Sequence, residues 1–385
     1  RTAHPCDALN ARFTMAPLFS PREIRMNGWP DSRFIDLAGI AAPLIQAPML
    51  GAGADVMIGV AKAGGLGSLA CATLDLATIR SEVAAFRDAC DKPLNLNFFC
   101  HVTPVADAQR AQQWKTQFKA YYDEVGADFD APTPVSSRAP FDDATCALVE
   151  QLRPEIVSFH FGLPAPALVA RVKACGAKIL SSATTVEEAQ WLERHGCDAI
   201  IAMGYEAGGH RAMFLSDELT TQIGTFALVP QIVDAVSVPV IAAGGIADAR
   251  GIAAAFALGA SAVQIGTAYL FCPQATVTHP HRRALREATS SQTALTNLFT
   301  GRPARGIVNR VMREMGPMHP QAPAFPLAGG VLLPLKAKTE PQGSGDFINL
   351  WAGQAFTLSP GRAADLSSYE LTKRLIDDYA ARRPV

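Results

Sequence analysis

Pro239-Val240-Ile241-Ala242-Ala243-Gly244-Gly245-Ile246 is a short apolar, β-branched run that stops at two glycines. A helix-like segment, Ala249 to Leu258, follows it, and then a second such run, Ala262-Val263-Gln264-Ile265-Gly266-Thr267. Strand, helix, strand in that order signals parallel strands joined by a crossover helix. Outward from this unit the alternation recurs, with strands expected at Pro43 to Ala47, Leu66 to Ala70, Leu94 to Phe99, Ile156 to His160, Lys178 to Ser181 and Ala199 to Met203. Eight parallel strands with interleaved helices such as Val186 to Gly196 suit a closed α/β fold, the (β/α)8 TIM barrel. The alternative is an open doubly wound sheet.

The barrel is expected over residues 35–290, after an N-terminal extension, 1–34, without helix or strand period. An insertion after the third strand, about residues 100–150, carries Trp114, Tyr121 and Tyr122 and is too long for a plain loop; it is expected to cover the barrel mouth. Beyond residue 290 the alternation ends, and the segment 291–385 is expected to be mostly helical, finishing in a helix over Ala363 to Arg383 and packing beside the barrel.

Composition narrows the function classes. Hydrophobic residues make up 49% and charged residues 18%, a globular balance, and a formal net charge of -1 offers no basic field for nucleic acid and no polybasic run for a membrane. No apolar stretch approaches the ~20 residues of a membrane helix, and no export signal is legible. Eight cysteines are scattered singly, without a C-x-x-C pair, as expected of reduced thiols in a cytoplasm. The expected partner is a small molecule, with monomer and homodimer both open.

Barrel enzymes carry their chemistry in the loops after the strands, and a phosphate commonly sits after strands seven and eight. There Gly244, Gly245 and Gly266 let backbone N–H groups approach phosphate oxygens, and the helix after Asp248 adds its positive end. Tight strand-to-helix turns alone would call for the same glycines. Met203-Gly204-Tyr205-Glu206-Ala207-Gly208-Gly209-His210-Arg211 places a histidine among glycines after the sixth strand, where an imidazole is suited to act as a base. A histidine that merely closes a loop is the alternative. His160 ends the fourth strand and faces either the cavity or the core. Asn97 is a polar residue inside an apolar strand, needing partners that a ring edge or a neighbouring loop would supply. Met49 suits a flat ring or the core. His279-Pro280-His281 lacks a carboxylate or cysteine at ligand spacing, so no metal is expected.

Together these segments resemble the nitronate monooxygenases, class I. The resemblance rests on Ile45-Gln46-Ala47-Pro48-Met49, Asn95-Leu96-Asn97-Phe98-Phe99, Ser158-Phe159-His160-Phe161-Gly162, Glu206-Ala207-Gly208-Gly209-His210-Arg211, Gln264-Ile265-Gly266-Thr267-Ala268 and Trp351-Ala352-Gly353-Gln354, in the family's order. It implies FMN on the barrel, with Ala47, Pro48, Met49, Asn97, Gly208, Gly244, Gly245, Gln264, Ile265, Gly266 and Thr267 around the flavin and its phosphate. Met203 stands where better-known members carry a flavin-contacting glutamine. His210 is implied as the active-site base, with His160 beside the substrate. Family pocket tyrosines fall on His281, Phe325 and Gly329, and a pocket lysine on Leu333, with Lys336 close by. The implied reaction is oxidation of alkyl nitronates, propionate 3-nitronate among them, by O2 to a carbonyl compound and nitrite. An FMN barrel that reduces quinones or enoyl groups with NAD(P)H, and a phosphate-binding barrel without redox chemistry, are the alternatives. Arg302 and Arg305 either anchor the C-terminal segment or assist a substrate anion.

Overall fold

The structure, a computed structural model, describes residues 28–134 and 138–382, so most of the expected N-terminal extension lies outside the described residues. Its strands are β1 (Leu44–Gln46), β2 (Gly67–Ala70), β3 (Leu94–Phe99), β4 (Ile156–His160), β5 (Lys178–Ala183), β6 (Ala199–Met203), β7 (Gly209–His210), β8 (Val240–Ala243), β9 (Ala262–Ile265), β10 (Thr293–Thr296) and β11 (Ala304–Ile307). Eight of them form one parallel sheet in the order β1-β9-β8-β6-β5-β4-β3-β2. The two ends of that order meet: Gln46 N–H donates to Leu66 O and Leu66 N–H donates to Leu44 O, each at 2.9 Å. The sheet therefore closes on itself as a TIM-barrel-like α/β fold, and the open doubly wound alternative is set aside.

Two apolar layers hold the barrel. Inside, Ile45, Ile156, Leu180, Ile201 and Ile241 meet Phe34 from a short helix, Arg33–Ala38, that plugs the N-terminal end. Outside, Val157, Ile179, Ile200 and Val263 face helix residues such as Val60, Val172, Leu192 and Ile252. Strands buried on both faces explain why the sequence reads as continuous apolar runs rather than alternation. Toward the C-terminal mouth the interior turns polar. Asn95 Nδ2 donates to Ser68 Oγ at 3.0 Å, and Asn97 Nδ2 to Ser158 Oγ at 2.9 Å.

The segment after β3 differs from expectation in its extent. Asp143–Leu152 is the regular barrel helix between β3 and β4, so the added part is the helices Ala108–Thr116 and Lys119–Val125 and their loops. These helices pack on the C-terminal segment: Trp114 Nε1 donates to Ala328 O at 2.9 Å and Tyr122 Oη to Val331 O at 2.7 Å. Trp114, Phe118 and Tyr122 share a core with Leu298, Val311, Leu335 and Phe347.

The C-terminal segment also contributes strands. β10 and β11 form an antiparallel sheet with β7, pairing Ala304 with His210 and Arg305 with Gly209. These strands were illegible because they are of mixed polarity and lack the apolar runs of the barrel strands. The last helix, Ser368–Ala380, lies against the helix Ala54–Lys62. No helix of the described residues is long and apolar enough to cross a membrane.

Gly59 makes that last packing possible, because a Cβ there would stand 2.1 Å from Ser368 Oγ and 2.8 Å from Tyr369 N. Gly59→Ala is expected to lower stability by about 1–3 kcal/mol although alanine is the better helix former. A thermal melt showing an unchanged or raised midpoint would contradict this.

Candidate active site

A cavity of about 330 Å3 opens at the C-terminal ends of the strands. Its floor after β1 is Ala47, Pro48 and Met49, and the polar belt reaches it through Asn97, whose Nδ2 is committed to Ser158. After β8, Gly244 and Gly245 line it with φ of 99° and 73°, left-handed backbone that favours glycine. A Cβ on Gly244 would also meet Ala207 N at 2.9 Å. After β9, Gln264, Gly266 and Thr267 complete this side.

Three sequence expectations need correction here. The helix Ala249–Ala257 does not offer its first amides to the cavity, because the Asp248 carboxylate accepts Arg250 N–H at 2.9 Å and Gly251 N–H at 3.2 Å. Ile265 stands apart from the lining: its side chain is fully buried in the outer core and its carbonyl accepts Ala47 N–H at 2.9 Å. In a parallel strand, neighbouring side chains point to opposite faces, so Gln264 looks inward and Ile265 outward. Phe325, expected in the pocket, lies behind its wall, its ring centroid 5.3 Å from that of His210 and 4.7 Å from that of His101. Met203 and His281 do line the cavity.

The loop after β6 is built residue by residue. Arg211, fully buried, donates to Gly204 O at 2.6 Å, Met203 O at 2.8 Å and Gln222 Oε1 at 2.9 Å. Glu206 accepts Thr225 N–H at 2.8 Å and Thr225 Oγ1 at 2.9 Å, while its carbonyl accepts Gln354 N–H at 2.9 Å. Gly208 must be glycine, since a Cβ would stand 2.5 Å from Gly353 N. Gly208, Gly209 and His210 are thereby held against the cavity.

His210 Nε2 lies 3.0 Å from Thr300 Oγ1, and the Thr300 hydroxyl donates to Arg302 O at 3.3 Å. With its one proton spent on a carbonyl, Thr300 accepts from His210 Nε2–H, which leaves Nδ1 as the proton-accepting atom. His160 Nε2–H donates to His210 O at 3.2 Å and steadies the backbone behind it. Phe99, Phe161, Phe325 and Trp351 ring His210 at centroid distances of 5.9, 6.0, 5.3 and 5.7 Å. Burial, with the Arg138 guanidinium and His160 adding to it, drives the His210 pKa well below its ordinary value. Burial likewise pushes His160 down to about 3. Both imidazoles are neutral at physiological pH, the form in which a histidine accepts a proton.

A family model of nitronate monooxygenase matches residues 31–377. The chain belongs to the nitronate monooxygenase family. It is similar to the nitronate monooxygenase of Pseudomonas aeruginosa, with 39% identity over 90% of this chain and 98% of that one. Among solved structures it resembles the nitroalkane oxidase of Streptomyces ansochromogenes, with 34% identity, a TM-score of 0.79, and 91% and 98% of the two chains covered. It also resembles FabK of Thermotoga maritima, with 26% identity, a TM-score of 0.68, and 91% and 96% covered. The enzyme is accordingly an oxidoreductase of the nitronate monooxygenase family.

Other residues of this nitronate monooxygenase family member escaped the sequence reading. Arg138 lines the cavity from an irregular loop whose composition carries no signal. Lys336, not Leu333, brings a lysine to the cavity; the two lie on one helix, Leu333–Thr339. Arg302 and Arg305 anchor the C-terminal segment. Arg302 hydrogen-bonds Met213 O and stacks over Phe161 at 4.4 Å, and Arg305 donates to Tyr205 O at 3.1 Å. His281 Nε2 donates to Trp351 O at 3.1 Å, and no metal-binding group of three occurs among the described residues.

Stability should report the buried neutral histidines. His160 at about 3 and His281 at about 4 bind no proton in the folded state where the unfolded chain, near 6.5, does. Folding stability is then complete above pH 6.5 and is lost as pH falls from there toward 4, by on the order of 1 kcal/mol per pH unit for each such histidine. Urea midpoints measured between pH 7.5 and 4.5 should fall, and a flat profile would contradict it.

Proposed function

We propose that this enzyme oxidises alkyl nitronates with O2, giving a carbonyl compound and nitrite, and that it does so with FMN. The observation that carries the reading is a neutral, buried His210 with its tautomer set, facing a cavity whose remaining polar groups ask for a ligand. Gln264 Oε1 and Thr278 Oγ1 are buried at the cavity without any hydrogen-bond partner. An unpaired buried acceptor costs about 1–3 kcal/mol, and the donors of a flavin ring edge suit Gln264.

The residues present fit that cofactor. Gly244, Gly245, Gly266 and Thr267 would hold its phosphate by main-chain amides, without lysine. Ala47, Pro48 and Met49 would lie along its ring system, and Asn97 and Gln264 would meet ring-edge atoms. Met203 offers the ring edge no conventional donor. Bound FMN supplies the electron-transfer chemistry between substrate and oxygen.

The chain's own groups handle charge and protons. Arg138 and Lys336 bring cationic side chains to the cavity, where an anionic nitronate would meet them, and Glu340 pairs with Lys336 at 3.5 Å. For a neutral nitroalkane, His210 accepts the α-proton at Nδ1 and Thr300 accepts the hydrogen bond that holds the opposite ring nitrogen. For a preformed nitronate no proton need be removed, and His210 serves only to orient it. The aromatic wall excludes water from the same space.

His210→Asn is expected to lower kcat/KM for nitroethane by ~10²–10⁴-fold and to affect ethylnitronate far less. Thr300→Val should follow the same direction more weakly, with Thr300→Ser restoring the rate. Steady-state oxygen consumption with both substrate forms decides this, and equal losses for the two would rule out the base role. Anaerobic NADH should leave the bound flavin oxidised; rapid bleaching would favour an NAD(P)H-dependent reductase.

A further inference from the structure

Beside the main cavity lies a second chamber of about 190 Å3, and the two share Leu50, Arg138, Lys336 and Asn349. Its own walls are apolar, formed by Phe299, Pro326, Leu332, Leu333 and Phe347. Gly329 adds no side chain to this space, and none can be added there, because a Cβ would stand 2.2 Å from Phe299 O. Leu50 and Leu333 each remain 44% exposed, so two large apolar side chains at its rim are left half in water. Such a surface gains by meeting an apolar group.

Resting on the nitronate reading above, we infer that the second chamber receives the carbon chain of the substrate, so that the enzyme selects nitronates with an apolar substituent of several carbons. The nitronate end stays in the main cavity with His210, within reach of the cationic side chains of Arg138 and Lys336. The substituent passes between the shared residues into the pocket of Phe299, Leu333 and Phe347.

The test is a kcat/KM series for the holoenzyme with ethylnitronate, butylnitronate and hexylnitronate. The four methylenes added from ethyl to hexyl should raise kcat/KM by roughly tenfold or more. Leu333→Trp, which fills the chamber, should cut the hexyl-to-ethyl ratio about tenfold, and Leu333→Ala, which widens it, should keep that ratio or raise it. A flat or falling series in the unaltered enzyme, or a ratio untouched by Leu333→Trp, overturns the chamber assignment while the nitronate reading stands. Absence of turnover with every nitronate overturns both.

Discussion

A single buried guanidinium holds the mouth of this barrel in working shape. Arg211 sits one residue after His210 and reaches back to the carbonyls of Met203 and Gly204, the points where β6 ends and its loop begins. Burial lowers its pKa to about 10, so the group remains charged at neutral pH and its hydrogen bonds are of the stronger, charge-assisted kind. Gln222, which accepts from Arg211, donates to Thr184 Oγ1 at 3.0 Å, and Thr184 donates to the buried Glu188 at 2.7 Å. The loop after β6 is thus tied to the loop after β5. Without that tie, the glycines at 208 and 209 would have no fixed path, and the His210 imidazole no fixed address.

The C-terminal segment completes what Arg211 begins. β11 pairs directly with β7, and Gly353 N–H donates to Thr267 Oγ1 at 3.0 Å. Thr300, from the turn before β11, supplies the partner of the His210 ring. Barrel and tail therefore build the cavity mouth together, although the tail adds no strand to the barrel sheet. The electrostatics agree with this arrangement: burial and nearby guanidinium groups favour the neutral histidines.

Much of this was legible in the sequence, and the reason is physical. Strands buried on both faces leave long apolar runs, so β3, β4 and β6 were read with their observed limits. The glycine pair at 244–245 also announces itself, because its left-handed backbone favours glycine there. What stayed hidden depends on tertiary pairing. The Thr300 hydroxyl, the Arg138 guanidinium and the strands β10 and β11 draw their meaning from partners far along the chain. Asp248 was misread for a related reason: its carboxylate occupies the helix N-terminus that a phosphate was expected to use.

The central claim is that the clamped glycine turns grip a phosphate through main-chain amides and so hold FMN at this mouth. Titrating flavin-free protein with FMN and with riboflavin, followed by flavin fluorescence, tests it most directly. The account predicts one FMN per chain and riboflavin binding at least a hundredfold weaker. Equal affinity for the two, or no flavin binding at all, would contradict it.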